Sequence, residues 1–263
     1  MEDIINFNRK TLNSISNWIE RSDWEIPNSL FNYGLPDYIY HLINKPISNE
    51  ITEADLICKY ILDLSKNANI QYLEIGVSVG KTFYQIINFA KSHLVENTFT
   101  LSCLDIEKIN PSFEKLLQGN KTVEKIPANT DNISLRKSEY NYITNWDNIV
   151  YYFESDEFDK NIWKYMNRKY NLIFSDALHE PNALFTEYKN LKDNLLLDEK
   201  EFIYCFDDLE DNEKYGPMWK AVHYIFSDIK SKYKNSTLEH HVVNGWIGDH
   251  EHKHHFGVIH GII

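Results

Sequence analysis

The sequence lacks an excess of positive charge. Its 27 Lys and Arg residues are outnumbered by 39 Asp and Glu residues, so the formal net charge is -12 at pH 7. Binding to a nucleic-acid backbone depends on clustered Lys and Arg, and the sequence contains no such cluster. The charge therefore excludes nucleic acid as an expected partner. It favours small polar ligands, together with a cation that offsets local acid.

Long hydrophobic runs and closely spaced cysteines are also missing. No uninterrupted apolar run approaches the ~20 residues that a membrane span needs, and the N-terminal MEDIINFNRK lacks the basic-then-apolar order of a signal peptide. We therefore expect a cytoplasmic protein with no membrane partner. The three cysteines lie far apart inside apolar stretches, which predicts buried thiols and not disulfides or zinc ligands: Cys58, Cys103 and Cys205.

Two patterns divide the chain. Over residues 1–66 apolar side chains recur at helical spacing, as in LICKYILDL, which predicts a helical N-terminal extension. Over residues 67–263 short apolar runs end in Gly, Asp or Ser, and helix-length segments follow them. These runs are QYLEIG, FTLSCLD, IVYYFESD, YNLIFSD and EFIYCFDD. Their order predicts an α/β domain with a parallel sheet, helices on both faces, and functional groups at the carboxyl ends of the strands.

Two further segments stand out. A polar stretch at about 110–148 is longer than an ordinary connection, which predicts an insertion that acts as a lid or faces the substrate. The runs STLEHHVVNGWIGDH and KHHFGVIHGII predict a C-terminal hairpin. This region holds seven of the eleven histidines, and His250, His252 and His254 alternate as on one strand face. Because strong zinc motifs have Cys or a fixed His-x-x-x-His spacing, we favour a solvated hairpin over a metal site.

The stretch YLEIGVSVGKT contains a glycine-rich turn between an apolar strand and a helix start. Gly76 and Gly80 allow a tight turn and close approach of a ligand, and the following helix offers free N–H groups. A nucleotide-dependent phosphotransferase would use GVSVGKT as a P-loop. That motif needs four residues between its first glycine and Gly-Lys-Thr, and only three are present. Glu74 before the turn suits a cationic or hydroxylated ligand better than a triphosphate.

Polar residues also end the next two predicted strands. Asp105 stands where an acid in a doubly wound sheet accepts ribose hydroxyls, and Ser155 and Asp156 stand where the third strand would reach an adenine edge. With the glycine turn, in which Ser78 replaces a middle glycine, these residues resemble class I S-adenosylmethionine-dependent methyltransferases over about residues 70–263. The resemblance implies a Rossmann-like fold, with a mostly parallel seven-stranded sheet and an antiparallel C-terminal hairpin. It also implies S-adenosylmethionine as cofactor, bound by Glu74, Gly76, Ser78, Gly80, Asp105, Ser155 and Asp156.

The stretches LIFSDALHEP and IYCFDDLED both carry acids at strand ends. Asp176, Asp207 and Asp208 would converge at the cofactor cleft, where they repel one another unless a cation such as Mg²⁺ compensates. His179, three residues after Asp176, would lie over the same site. An Asp-x-x-His motif with a later Asp-Asp pair resembles the metal-dependent O-methyltransferases that act on macrolide sugars and rhamnosyl groups, and the related cephalosporin-hydroxylase-like proteins.

That resemblance implies Mg²⁺-assisted methyl transfer to a hydroxyl of a sugar or sugar-containing small molecule. Asp176, Asp207 and Asp208 would be the metal ligands, Asp176 and His179 would be catalytic, and His179 would be the candidate general base. Each assignment has a structural rival, since strand-end acids also cap helices and His179 could instead orient the substrate. Two other functions stay open, a catechol-like small-phenol O-methyltransferase and a catalytically inert binding module of the same fold. We expect a small-molecule or glycan acceptor, and homo-oligomerisation stays open.

Overall fold

A computed structural model describes residues 1–14, 50–129, 138–211, 216–244 and 253–263. Its helices are α1 (Glu2–Ser14), α2 (Glu53–Ser65), α3 (Lys81–His93), α4 (Pro111–Leu116), α5 (Lys160–Tyr165), α6 (Pro181–Asp193) and α7 (Pro217–Lys232). Its strands are β1 (Ile70–Ile75), β2 (Phe99–Asp105), β3 (Lys121–Pro127), β4 (Tyr140–Trp146), β5 (Val150–Glu154), β6 (Leu172–Ser175), β7 (Glu201–Leu209), β8 (Thr237–Asn244) and β9 (Lys253–Ile262). No helix among these residues has the length and apolar character to cross a membrane.

All nine strands form one sheet, in the order β3-β4-β5-β2-β1-β6-β7-β9-β8. The five apolar runs predicted as parallel strands are β5, β2, β1, β6 and β7, and each pairs in parallel with its neighbour. The C-terminal hairpin is also confirmed, because β9 pairs antiparallel with both β7 and β8. This arrangement is the Rossmann-like methyltransferase fold that the sequence predicts.

The sheet has two strands more than the seven expected, and both lie within the polar stretch at 110–148. After the short helix α4, β3 pairs antiparallel with β4, and β4 pairs antiparallel with β5. The stretch therefore widens the sheet at one edge. Residues 130–137, between β3 and β4, lie outside the described residues.

Two apolar cores cover the two faces of the sheet. One joins the sheet to α1, α2, α3 and α4, and the other joins it to α5, α6 and α7. Because both faces are covered, the central strands are apolar on both sides, which explains why they appear in the sequence as continuous apolar runs. The prediction for the cysteines is confirmed, since all three are buried free thiols.

A buried ion pair joins the two described helices of the N-terminal extension. Arg9 Nη2 of α1 lies 2.8 Å from Oδ2 of Asp55 in the first turn of α2, and Asn8 Nδ2 donates to Asp55 Oδ1 at 2.8 Å. The same carboxylate accepts a hydrogen bond from the backbone N–H of Thr52 at 2.9 Å. These bonds fix the start of α2, which begins at Glu53.

The strand order places a cleft at the carboxyl ends of β1 and β6. The chain runs from β1 outward through β2 to β5, and then returns to the other side of β1 through β6 and β7. Ligands of open α/β sheets bind at such a reversal point. The loops after β1, β2, β5, β6 and β7 all begin at this edge of the sheet.

Candidate active site

The glycine-rich turn after β1 has a left-handed backbone at three positions. Gly76 and Gly80 have φ of 86°, and Ser78 between them has φ of 50°. A Cβ atom at Gly76 would lie 2.2 Å from the carbonyl oxygen of Asp176, in the loop after β6. Only glycine therefore allows the two loops that border the cleft to approach so closely. Lys81 begins α3, as predicted from the sequence.

Asp105, at the end of β2, holds this turn in place. Its Oδ2 accepts hydrogen bonds from the backbone N–H groups of Val77 at 2.6 Å and Ser78 at 2.8 Å. Its Oδ1 accepts one from the N–H of Glu107 at 2.8 Å. The role of Asp105 as a ribose ligand stays a prediction, and its role in shaping the turn is an addition to it.

The other residues predicted to bind the cofactor lie at the same edge. Glu74 is only 1% exposed, and its Oε2 accepts a hydrogen bond from the Tyr72 hydroxyl at 2.7 Å. Burial raises the pKa of Glu74 well above its usual range, and the charges of Asp176 and Asp105 raise it further.

Ser155 and Asp156 follow β5 and are both buried. The backbone N–H of Ser155 donates to the carbonyl oxygen of Asp105 at 2.8 Å, and Asp156 Oδ1 accepts from the N–H of Phe158 at 2.9 Å. These bonds shape the loop after the third parallel strand. The predicted adenine contact of the two residues remains a prediction.

Sequence reasoning missed Glu107, two residues beyond Asp105. Its Oε2 is buried and has no hydrogen-bond partner among the described residues. Burial and then the charge of Asp105 raise the pKa of Glu107 to about 8. A buried acceptor without a partner is costly unless a ligand supplies a donor, so Glu107 is a second candidate for the hydroxyl groups of a bound cofactor.

The acids at the end of β7 are brought together by a bulge. Side chains of a regular strand point alternately to opposite faces, so Asp207 and Asp208 would diverge. The pairing of β7 with β9 shifts register between Phe206 and Leu209, and Asp208 has a left-handed φ of 48°. This bulge turns both carboxylates toward one histidine, His254 of β9.

His254 lies between the two carboxylates. Its Nδ1 is 2.6 Å from Asp208 Oδ1 and 3.3 Å from Asp207 Oδ2, and its side chain is 13% exposed. The expectation of a solvated hairpin is therefore wrong for His254, because β9 lies inside the sheet between β7 and β8 and not at its edge. His250 and His252 lie outside the described residues.

His179 joins Asp176 to the same cluster. Its Nε2 lies 3.3 Å from Asp176 Oδ1, and its Nδ1 lies 3.1 Å from Asp208 Oδ2. The expected convergence of Asp176, His179, Asp207 and Asp208 is thus present. Asp176 is nevertheless joined to the Asp-Asp pair through His179. The described residues whose ligand atoms all lie within 4.8 Å of one another are Asp207, Asp208 and His254.

The two histidines carry positive charge into this acidic cluster. Burial lowers the pKa of His179, but the hydrogen bonds that the ring donates to Asp176 and Asp208 outweigh burial and raise its pKa to about 10. The same balance, with Asp207 and Asp208 as partners, raises the pKa of His254 to about 11. With these partners both imidazoles are protonated at neutral pH. His179 becomes a proton acceptor only when the charge of its carboxylates is offset.

Glu53, in the N-terminal extension, lies near enough to the cluster for the charges of Asp207 and His254 to act on it. The backbone N–H of Asn244, at the end of β8, donates to the carbonyl oxygen of Ile51 at 2.8 Å, which places the start of α2 beside the β8–β9 hairpin. Glu53 is buried, and its Oε2 has no hydrogen-bond partner among the described residues. Burial and then the charge of Asp207 raise its pKa to about 8, while the charge of His254 opposes this.

The donor set fits a divalent cation. Asp207 Oδ1 is buried and, within the described part of the chain, has no hydrogen-bond partner, as is the case for Glu53 Oε2. Clustered carboxylates with buried oxygens left over are stabilised by a positive ion. Sequence reasoning missed Glu53 and passed over His254, because neither lies in a strand-end motif. The alternation of His250, His252 and His254 was the one sequence signal for the latter.

Comparisons with known proteins give structural likenesses only. No protein-family model and no curated protein sequence matches the chain. Among solved structures, the chain is similar to the O-methyltransferase TomG of Streptomyces achromogenes, which is involved in tomaymycin synthesis and was solved in complex with S-adenosylmethionine. The TM-score is 0.49 and the sequence identity is 11%, and the match covers 97% of this chain and 99% of TomG. An O-methyltransferase from Bacillus cereus, in complex with S-adenosylhomocysteine, is similar with a TM-score of 0.49 and 12% identity, covering 97% and 100%. Likenesses at this level identify no activity, so the function has to be inferred from the chain's own residues.

Proposed function

We propose that the chain is an S-adenosylmethionine-dependent O-methyltransferase that acts on a hydroxyl of a sugar or sugar-containing small molecule, assisted by a divalent cation. One observation carries this proposal. The glycine-rich turn held by Asp105 and the cluster of Asp176, His179, Asp207 and Asp208 border the same reversal point of the sheet. A methyl donor on the turn would therefore lie beside the groups that activate the acceptor.

The charge of the cleft suits a cationic methyl donor. Glu74, Asp105 and Glu107 border the turn, and burial raises the pKa of the two glutamates. A bound sulfonium would stabilise the ionised form of these buried acids, whereas a triphosphate would oppose their ionisation. The charge thus adds to the loop-length argument against a phosphotransferase.

The acids and histidines prepare the acceptor. The Asp-x-x-His motif and the Asp-Asp pair imply Mg²⁺, which would be held by Asp176, Asp207 and Asp208. When bound, a divalent cation supplies a Lewis acid for the acceptor hydroxyl and offsets the negative charge that raises the pKa of His179. Neutral His179 then takes the hydroxyl proton as the oxygen bonds to the methyl carbon. S-adenosylmethionine, if bound on the turn, would supply the methyl group and would leave as S-adenosylhomocysteine, with the electrons of the broken carbon–sulfur bond on sulfur.

The isosteric substitutions Asp207→Asn and Asp208→Asn test this division of roles. Each should lower methyl transfer by about 100-fold or more, because charge stabilisation at the acceptor is worth several kcal/mol. Calorimetry should find the affinity for S-adenosylmethionine nearly unchanged. The matched control is Asp211→Asn, just beyond β7, which should keep full activity. A large loss of cofactor affinity in the Asp207 or Asp208 variants would contradict the assignment of these acids to the acceptor.

A further inference from the structure

The donor set around the Asp-Asp pair differs from the all-oxygen set that the sequence motif implies. His254 comes from the C-terminal strand and Glu53 from the N-terminal extension, and neither belongs to the motif. His254 Nδ1 lies within 3.3 Å of both Asp207 and Asp208, whereas Asp176 meets them only through His179. The closest group of possible ligands therefore contains an imidazole nitrogen.

Two buried oxygens support a ligand at this position and not merely a set of ion pairs. If His254 only neutralised the acids, the carboxylate oxygens around it would have donors. Asp207 Oδ1 is instead buried without a hydrogen-bond partner among the described residues, and the same is true of Oε2 of the nearby Glu53. Both belong to side chains that are at most 5% exposed. Oxygens left in this state provide ligand positions for a cation.

The position of Glu53 is fixed by contacts outside the cluster. Asp55, two residues later, is held by Arg9, Asn8 and the backbone of Thr52. Asn244, which pairs with Lys253 next to His254, donates to the carbonyl of Ile51. Glu53 thus lies near the cluster at a rigid helix start, and little ordering is needed for it to bind an ion.

We propose that Asp207, Asp208 and His254, with Glu53 as a nearby acid, bind a divalent first-row transition-metal ion in preference to Mg²⁺. Mg²⁺ prefers oxygen ligands and keeps several waters, whereas imidazole beside carboxylate suits Mn²⁺, Fe²⁺, Co²⁺ or Zn²⁺. This inference rests on the proposed function to the extent that it identifies the cation of that reaction. The binding site itself does not depend on the methyl donor.

Mn²⁺ binding to the full chain tests the proposal without any assay of activity. Electron paramagnetic resonance of free Mn²⁺ gives the dissociation constant, and pulsed measurements on the bound ion detect a coordinated ¹⁴N. The wild type should bind Mn²⁺ at least roughly tenfold more tightly than Mg²⁺ and show nitrogen coupling, which should persist in His179→Gln. His254→Gln should lose the coupling and weaken binding by about tenfold or more. Glu53→Gln should weaken binding but keep the coupling.

His255→Gln is the matched control, because His255 neighbours His254 on β9 and contacts His240 instead of the cluster. It should leave the affinity and the coupling unchanged. The proposal is overturned if wild-type Mn²⁺ shows no nitrogen coupling, or if Mg²⁺ binds as tightly as Mn²⁺. The wild-type spectrum decides the matter even if His254→Gln fails to fold. Calorimetry with S-adenosylmethionine in EDTA tests the proposed function separately, since its failure would leave the metal result intact.

Discussion

Ser78 carries backbone strain in the turn that borders the cleft. It has φ of 50°, and for a residue with a Cβ atom the left-handed conformation costs roughly 1–2 kcal/mol. A glycine at this position would remove that cost, but it would also make the unfolded chain more flexible. The side chain of Ser78 is thus retained at some expense in stability.

The substitution Ser78→Gly should therefore raise the free energy of unfolding by up to about 1 kcal/mol, measured by urea denaturation. Ser92→Gly, at an exposed position of α3, is the control and should lower it by about 0.5 kcal/mol, because glycine is the poorer helix former. If Ser78→Gly destabilised the protein as much as the helical control does, the turn would not be strained in solution.

Glu107 makes stability depend on pH. Its pKa is raised to about 8 in the folded protein from an ordinary value of 4.5, so the folded state binds more protons than the unfolded state between these pH values. The contribution of Glu107 to the free energy of unfolding therefore falls as the pH rises from about 4.5 to about 8, and this contribution changes little above pH 8.

The substitution Glu107→Gln removes this titration. The variant should match the wild type near pH 4.5 and exceed its free energy of unfolding by roughly 1 kcal/mol or more at pH 8. Urea denaturation across this range gives both values. A wild type and a variant that differ equally at every pH would show that the carboxyl of Glu107 ionises normally in the folded protein.

At the scale of elements, helices α1 and α2 together position the side chain of Glu53 near the cleft. The pair of Arg9 and Asp55 is buried, so removal of one partner leaves an uncompensated charge. Arg9→Met should lower the free energy of unfolding by about 3 kcal/mol. It should also weaken Mn²⁺ binding, because Glu53 begins the helix that this pair fixes.

Two further variants control for this effect. Lys59→Met, which removes an exposed pair with Asp63 on the same helix, should change the stability by less than about 0.5 kcal/mol. Combining Arg9→Met with Asp55→Asn should recover part of the lost stability, since the unpaired buried charge is removed while the amide oxygen can still accept from the N–H of Thr52. An Arg9→Met protein as stable as the Lys59→Met protein would mean that α1 does not fasten α2.

The elements also show how far the sequence could predict the site. Runs such as LIFSD and EFIYCFDD ended in acids that could be placed at the cleft, because parallel strands end at one edge of the sheet. The bulge at Asp207 and Asp208 could not be predicted, since it depends on the register between β7 and β9. The insertion of β9 between β7 and β8, which buries His254, is likewise a long-range pairing that leaves no local pattern.

At the scale of the whole molecule, the net charge of -12 is accompanied by a group of acids at the cleft. Acids at the ends of β1, β2, β6 and β7 or just beyond them, together with Glu53 of the N-terminal extension, lie along one edge of the sheet. Opposing them in the cluster are the protonated rings of His179 and His254. A cleft of this charge favours cationic ligands, which is the physical basis of the choice between a sulfonium donor and a nucleotide triphosphate.

Thermal unfolding of the full chain tests that choice most directly. It would be recorded with S-adenosylmethionine or S-adenosylhomocysteine and with ATP, each with and without Mg²⁺. A ligand at 100 times its dissociation constant stabilises by about 2.7 kcal/mol, which raises the midpoint by roughly 5 °C or more in a protein of this size. We expect this rise with the methionine-derived ligands, with or without Mg²⁺. A rise only with ATP and Mg²⁺ would mean that GVSVGKT binds phosphate, and would contradict the account of the cleft.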